Sequence, residues 1–167
     1  MAENQELQVT RTFDVPKETF FQLWTDANHL RHWWTPKGYS IDVVKFELHP
    51  EGQFHYNQTS PEGHTMWGKF VYKDIEMPDR LVYISSFSDP DAQTCRAPFH
   101  PSWPLEILNT LNFIDEDGKT VLAMRGMPVS ATEEELSVFQ NAREGIQQGL
   151  AGTFDQLDAY IEQLKSK

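Results

Sequence analysis

A single cysteine, Cys95, stands among the 167 residues, so no intrachain disulfide is open to this chain. Zinc sites built on several thiolates are excluded with it. Long apolar runs are also missing, since no stretch approaches the ~20 residues that a membrane-crossing helix needs. The segment from Met1 to Leu7 is polar and acidic, with neither the basic start nor the apolar centre of a secretory leader. Basic residues are in short supply, 14 Lys and Arg against 25 Asp and Glu, for a formal net charge of −11. A surface that acidic repels phosphate backbones and anionic headgroups, which argues against nucleic acid and membrane insertion. No phosphate-binding loop, dinucleotide fingerprint or nucleophile elbow is present. Together these absences predict a cytoplasmic protein with no cofactor and no metal.

Aromatic side chains are plentiful, 13% of the residues, with eleven Phe and five Trp. From Leu7 to Val15, the residues Leu7, Val9, Arg11, Phe13 and Val15 alternate with polar neighbours, the pattern of a half-buried strand. Pro16 suits a first helical turn, and Phe20, Phe21 and Trp24 give a helix over Pro16–Thr25 its apolar face. Asp26 caps a second short helix with Leu30, Trp33 and Trp34 on its apolar side, before Pro36 stops it. Strands are predicted over Tyr39–Phe46, Gln53–Gln58, Thr65–Ile75, Arg80–Phe87, Leu105–Asp115 and Lys119–Met127, parted by turn residues such as Asp117-Gly118. The stretch from Ser88 to Pro104 has four prolines and no period, which reads as a long loop of the kind that gates a site.

Thr132 with Glu135 forms a capping box. Leu136, Phe139, Arg143, Ile146, Leu150, Phe154, Leu157, Ile161 and Leu164 then recur at steps of three and four. A stripe that long has to lie on a large apolar surface, and the sheet is the partner. Gly145, Gly149 and Gly152 on the same helix each cost about 1 kcal/mol relative to Ala, which points to close approach between helix and sheet or to a bend that opens the cavity. Short turns make the sheet antiparallel. The fold expected is therefore α+β, one domain over residues 1–167, with a curved antiparallel sheet wrapped around one long C-terminal helix. Two short helices follow the first strand. This is the helix-grip arrangement.

Several stretches carry a family resemblance. They are residues 13–26 (FDVPKETFFQLWTD), Trp33-Trp34-Thr35-Pro36-Lys37-Gly38-Tyr39, Glu51-Gly52-Gln53-Phe54, Trp67-Gly68-Lys69-Phe70, Pro78-Asp79-Arg80-Leu81-Val82, and Gly149-Leu150 with Phe154-Asp155-Gln156-Leu157. In this order the sequence resembles the START-like (SRPBCC, Bet v-like) superfamily. Within it, the match is to the domain named for its similarity to the activator of the heat-shock-protein-ninety ATPase. Leu150 departs from the pattern, standing where the family has Trp, and the proline-rich loop is unusual. The resemblance implies an internal cavity between sheet and helix. Members include ligand carriers, hormone receptors, aromatic cyclases and cochaperone domains, so fold does not fix function.

The residues expected to line such a cavity are Trp34, Phe54, Tyr56, Phe70, Tyr72, Tyr83, Phe87, Phe99, Trp103, Met124, Phe139 and Arg143. Lys69 and Lys73 mark the outer face of their strand and so turn Phe70 and Tyr72 inward. A charge on an apolar stripe is costly unless paired, which casts Arg143 as a contact to a ligand carboxylate or carbonyl. No catalytic residue is assigned. Glu106 with His100, and His55, are the side chains with acid–base chemistry to offer. His29 and His32 lack a third metal ligand, and Cys95 beside Arg96 reads as a spectator thiol. The leading expectation is non-enzymatic binding of a small hydrophobic or aromatic ligand. Its rivals are a cyclase- or dehydrase-like enzyme using the same cavity and a chaperone-ATPase-stimulating module. The protein partners considered are a chaperone and a second copy of the chain, as a homodimer.

Overall fold

A computed structural model of the protein describes residues 6–166, so the acidic start at residues 1–5 lies outside the described residues. The chain runs β1 (Leu7–Phe13), α1 (Lys17–Thr25), α2 (Ala27–Trp33), β2 (Ser40–Phe46), β3 (Gln53–Thr59), β4 (Thr65–Glu76), β5 (Arg80–Ser88), β6 (Thr94–Cys95), β7 (Ile107–Glu116), β8 (Lys119–Pro128) and α3 (Glu133–Lys165). The sheet is curved and antiparallel throughout, in the order β1-β8-β7-β5-β4-β3-β2. This is the helix-grip fold. The expected loop from Ser88 to Pro104 holds one short strand. Since β7 starts at Ile107 and reaches only Ser85 of β5, Phe87 and Ser88 pair with Cys95 and Thr94 instead.

Alternation sets the inner face. In β1, Leu7 and Phe13 are buried while Gln8, Thr10 and Thr12 face out. Arg11 shares the inner face and reaches α3, pairing with Asp155 at 2.7 Å and Asp158 at 2.5 Å. That pair of contacts, with Gln147 Nε2 donating to the Gln8 carbonyl at 3.0 Å, ties the long helix to an edge strand. At its start, α3 carries the full capping box, with Glu135 N–H donating to Thr132 Oγ1 at 3.1 Å and Thr132 N–H to Glu135 Oε1 at 2.9 Å.

The core divides in two. Its larger part packs Phe13, Phe20, Phe21, Trp24 and Trp33 against the second half of α3, at Phe154, Leu157, Tyr160 and Ile161. Ring pairs such as Phe13–Phe20 and Trp24–Trp33, each 4.8 Å between centroids, fill that end without a gap. A smaller cluster of Leu7, Ala97, Trp103 and Phe139 closes the other end, at the start of α3. Between them lie Ile146 and Leu150, both half-buried.

Close approach to the sheet does not account for the α3 glycines. A β-carbon at Gly145, Gly149 or Gly152 would meet nothing within 4 Å, so these positions are not close-approach points to the sheet.

Candidate functional site

Where the two core clusters part, a cavity of about 220 Å³ opens between the sheet and the middle of α3. An engineered apolar cavity of about 150 Å³ already takes benzene. Strands β3, β4, β5 and β7 supply the walls, Ile146 and Leu150 of α3 the cover, and Trp103 with Pro104 from the proline-rich loop one end.

Eight of the expected lining residues are in that wall: Trp34, Tyr56, Phe70, Tyr83, Phe87, Trp103, Met124 and Phe139. Phe70 and Tyr83 stack face to face, their ring centroids 3.9 Å apart and their planes 13° from parallel. Trp34 stands edge-on to Phe70 at 5.3 Å. The other expected residues lie elsewhere. Phe54 and Tyr72 have no exposed surface and belong to the filled core, because the rings of Phe46 and Phe70 pack around them. Phe99 is 60% exposed, with its ring against Phe87 and Trp103 on the surface of the proline-rich loop. Arg143 donates to the Glu6 backbone carbonyl at 3.2 Å, beside the start of β1, and is not in the cavity wall.

The wall also holds polar residues that the aromatic pattern concealed: Gln58, Ser85, Ser86 and Asn109. Ser85 sits between Tyr83 and Phe87 in the period-two pattern, and Asn109 two residues before Leu111, so strand alternation alone would have turned both inward. Asn109 is buried and donates to Ser85 Oγ at 2.9 Å and to the Ile107 carbonyl at 3.1 Å. Gln58 donates to the Trp34 carbonyl at 2.9 Å. The Trp34 indole N–H is buried with no acceptor.

Burial pushes the Tyr56 hydroxyl up to about 12, with the nearby Trp34 side chain acting the other way. Burial raises Tyr83 further still, with the neighbouring tyrosines adding to it. Both hydroxyls are therefore neutral donors at ordinary pH. Tyr56 fits because it lies across Gly68, its partner on β4. A β-carbon at Gly68 would come within 2.8 Å of the Tyr56 oxygen.

The acid–base candidates are not assembled. Glu106 and His100 are both absent from the wall, and His100 accepts from the Ser102 N–H at 2.9 Å on the exposed loop. His55 faces away from the cavity yet is only 3% exposed, because the turn after β5 folds over it. Its Nε2 meets the Asp89 carbonyl at 3.2 Å, while the adjacent Lys69 donates to the Ala92 carbonyl at 2.8 Å. His29 and His32 both engage Tyr160, the first through its hydroxyl at 2.7 Å and the second by stacking at 4.9 Å. Among the described residues no group of three His, Cys, Asp or Glu side chains is placed to hold a metal. Cys95 is half-buried in β6, and Arg96 turns to Glu135 and to the Trp103 carbonyl.

The model of the family described as activator of Hsp90 ATPase homolog 1-like protein matches residues 14–162. The chain belongs to that family. Solved structures of similar fold include one from Mycobacterium smegmatis, 24% identical with a TM-score of 0.78, covering 96% of this chain and 92% of that one. A protein from Arthrobacter aurescens gives a TM-score of 0.80 at 21% identity, over 98% of this chain and 89% of that one. One from Nitrosomonas europaea aligns over 100% of both chains at 19% identity and a TM-score of 0.78. At these identities the likeness is one of fold. No curated protein sequence matches this member of the family. No helix among the described residues is long and apolar enough to cross a membrane.

Proposed function

We propose that the protein binds a small hydrophobic or aromatic molecule in the cavity between the sheet and α3, without turning it over. The observation that carries this reading is the cavity itself, about 220 Å³ lined mainly by aromatic and aliphatic side chains. Apolar walls with a few placed polar groups make good sites for small molecules. The lining holds no Asp, Glu, His, Lys, Arg or Cys, so no wall side chain trades a proton near neutral pH, which favours binding over acid–base chemistry. Leu150 supports the same reading. It covers the cavity at the position where the resembling family has Trp, and the smaller side chain leaves the space open.

The test fills that space. Leu150→Trp is expected to abolish binding of a neutral fluorescent probe such as N-phenylnaphthylamine while the fold persists by circular dichroism, at a cost of about 1–3 kcal/mol from overpacking. Unchanged probe affinity in a folded Leu150→Trp protein would place the binding outside the cavity and end this reading. Native mass spectrometry of the purified wild-type protein then asks whether a ligand is retained.

A further inference from the structure

We infer that the cavity selects an uncharged ligand of about two fused rings bearing a hydrogen-bond-accepting oxygen, that is a carbonyl rather than a carboxylate. This rests on the binding reading above and names the class of molecule it would take.

Charge is the first part. None of the lining side chains is an acid, a base or a histidine. Arg143, the cation on the α3 stripe, donates to the Glu6 carbonyl and is not part of the wall. A carboxylate entering here would lose its water and meet only neutral dipoles, an exchange that disfavours the ion. The formal net charge of −11 works against an anion during approach as well.

The balance of donors and acceptors is the second part. Both Asn109 Nδ2 hydrogens are committed, to Ser85 Oγ at 2.9 Å and to the Ile107 carbonyl at 3.1 Å. Ser85 therefore accepts from Asn109 and keeps its own hydroxyl hydrogen to give. Trp34 offers an indole N–H, a donor only, buried and without an acceptor. Such a group in a native interior calls for an explanation, and a ligand oxygen provides one. Tyr56 and Tyr83 also line the cavity, each with a hydroxyl that has one hydrogen to give and can accept as well. Against these the wall sets the amide oxygens of Gln58 and Asn109. The latter is turned onto Gly126, 3.2 Å from where a β-carbon there would sit. A space of about 220 Å³, against about 150 Å³ for an apolar cavity that takes benzene, has room for two fused rings.

Three probes of one shape separate these terms: naphthalene, methyl naphthyl ketone and naphthoate. The ketone and the carboxylate differ by a methyl for an oxygen anion. Ligand-observed NMR titrations of the full chain at neutral pH are expected to rank the ketone at least tenfold tighter than naphthoate. It should also bind several-fold tighter than naphthalene. Ser85→Ala, a change too small to threaten the fold, is expected to narrow the ketone's advantage over naphthalene, and Trp34→Phe to narrow it further. Naphthoate binding as tightly as the ketone would overturn the selection against charge. Equal affinities for ketone and naphthalene would overturn the role of the donors. If none of the three binds, the cavity reading itself falls, and this inference with it.

Discussion

A β-carbon added at Gly52 would sit 2.3 Å from the Glu47 carbonyl oxygen and 2.9 Å from that of His49. Both are backbone atoms in the turn that leads into β3, where Gly52 also accepts from the Tyr72 N–H at 3.0 Å. No side-chain rotation relieves that contact, so Gly52→Ala is expected to cost on the order of 2–4 kcal/mol, read from the shift in the urea midpoint. At Gly68 the neighbour is the Tyr56 ring, which has room to move by reshaping the cavity wall. Gly68→Ala is therefore expected to cost less, about 1–3 kcal/mol, and to weaken cavity probes. The α3 glycines behave oppositely. Gly145 and Gly149 are exposed in mid-helix with nothing within 4 Å of a new β-carbon. Gly145→Ala and Gly149→Ala should each stabilise by up to about 1 kcal/mol. A double variant no more stable than wild type would show that the helix depends on these glycines for something other than space. Sequence spacing distinguished the first case from the second only in part. Gly52 sits in a recognisable strand-leading motif, whereas the glycine side of α3 is fixed by how the helix docks, which one sequence does not record.

At the scale of elements, the proline-rich segment between β5 and β7 is held to the start of α3 by few contacts. Arg96 pairs with Glu135 and donates to the Trp103 carbonyl at 3.0 Å, Ser102 donates to Glu134, and the Trp103 ring lies 5.7 Å from that of Phe139. Prolines without a period made this stretch legible as a long loop. Its fastening was not legible, since Arg96 and Glu135 are 39 residues apart and meet only through the fold. The Thr132 backbone N–H first, and then Arg96, hold the Glu135 carboxyl below its ordinary value of 4.5. A carboxylate depressed in the folded state stabilises fully above its unfolded value and loses that contribution as pH falls through the folded one. The gate should accordingly be fastened at neutral pH and loosen in acid, below the ordinary glutamate range. Arg96 is exposed enough that the pair contributes only about 0.2–1 kcal/mol, so exchange rate is the sensitive readout rather than melting. Stopped-flow release of methyl naphthyl ketone is expected to quicken on acidification in the wild type and to be faster but less pH-dependent in Glu135→Gln. Parallel pH profiles in the two proteins would dissociate the latch from the gate.

Taken as one molecule, the protein places much of its aromatic content in two core clusters, and its cavity is the space left between them. The long apolar stripe of α3 and the alternating strands were enough to read the fold. Which of the stripe's members touch a core, a cavity or a distant carbonyl depends on helix rotation and sheet curvature, and Arg143 shows how far that can depart from periodicity. The same burial has a consequence at high pH. Tyr56, Tyr72 and Tyr83, three of the five tyrosines, are all pushed above the ordinary value of 10 by desolvation. A tyrosine whose folded value is raised contributes stability that is complete below the unfolded value and declines as pH climbs toward the folded one. The unfolded chain gives up those protons first. Each should therefore steepen the loss of stability by about 1.4 kcal/mol per pH unit between the two values, on top of the self-repulsion of a chain already at −11. Their phenolate absorbance is expected to appear together with the collapse of near-ultraviolet circular dichroism in one alkaline step. Tyr83→Phe should move that step to higher pH. If these tyrosines ionise while the dichroism is still native, water reaches their hydroxyls in the folded protein, and burial is not what holds them neutral.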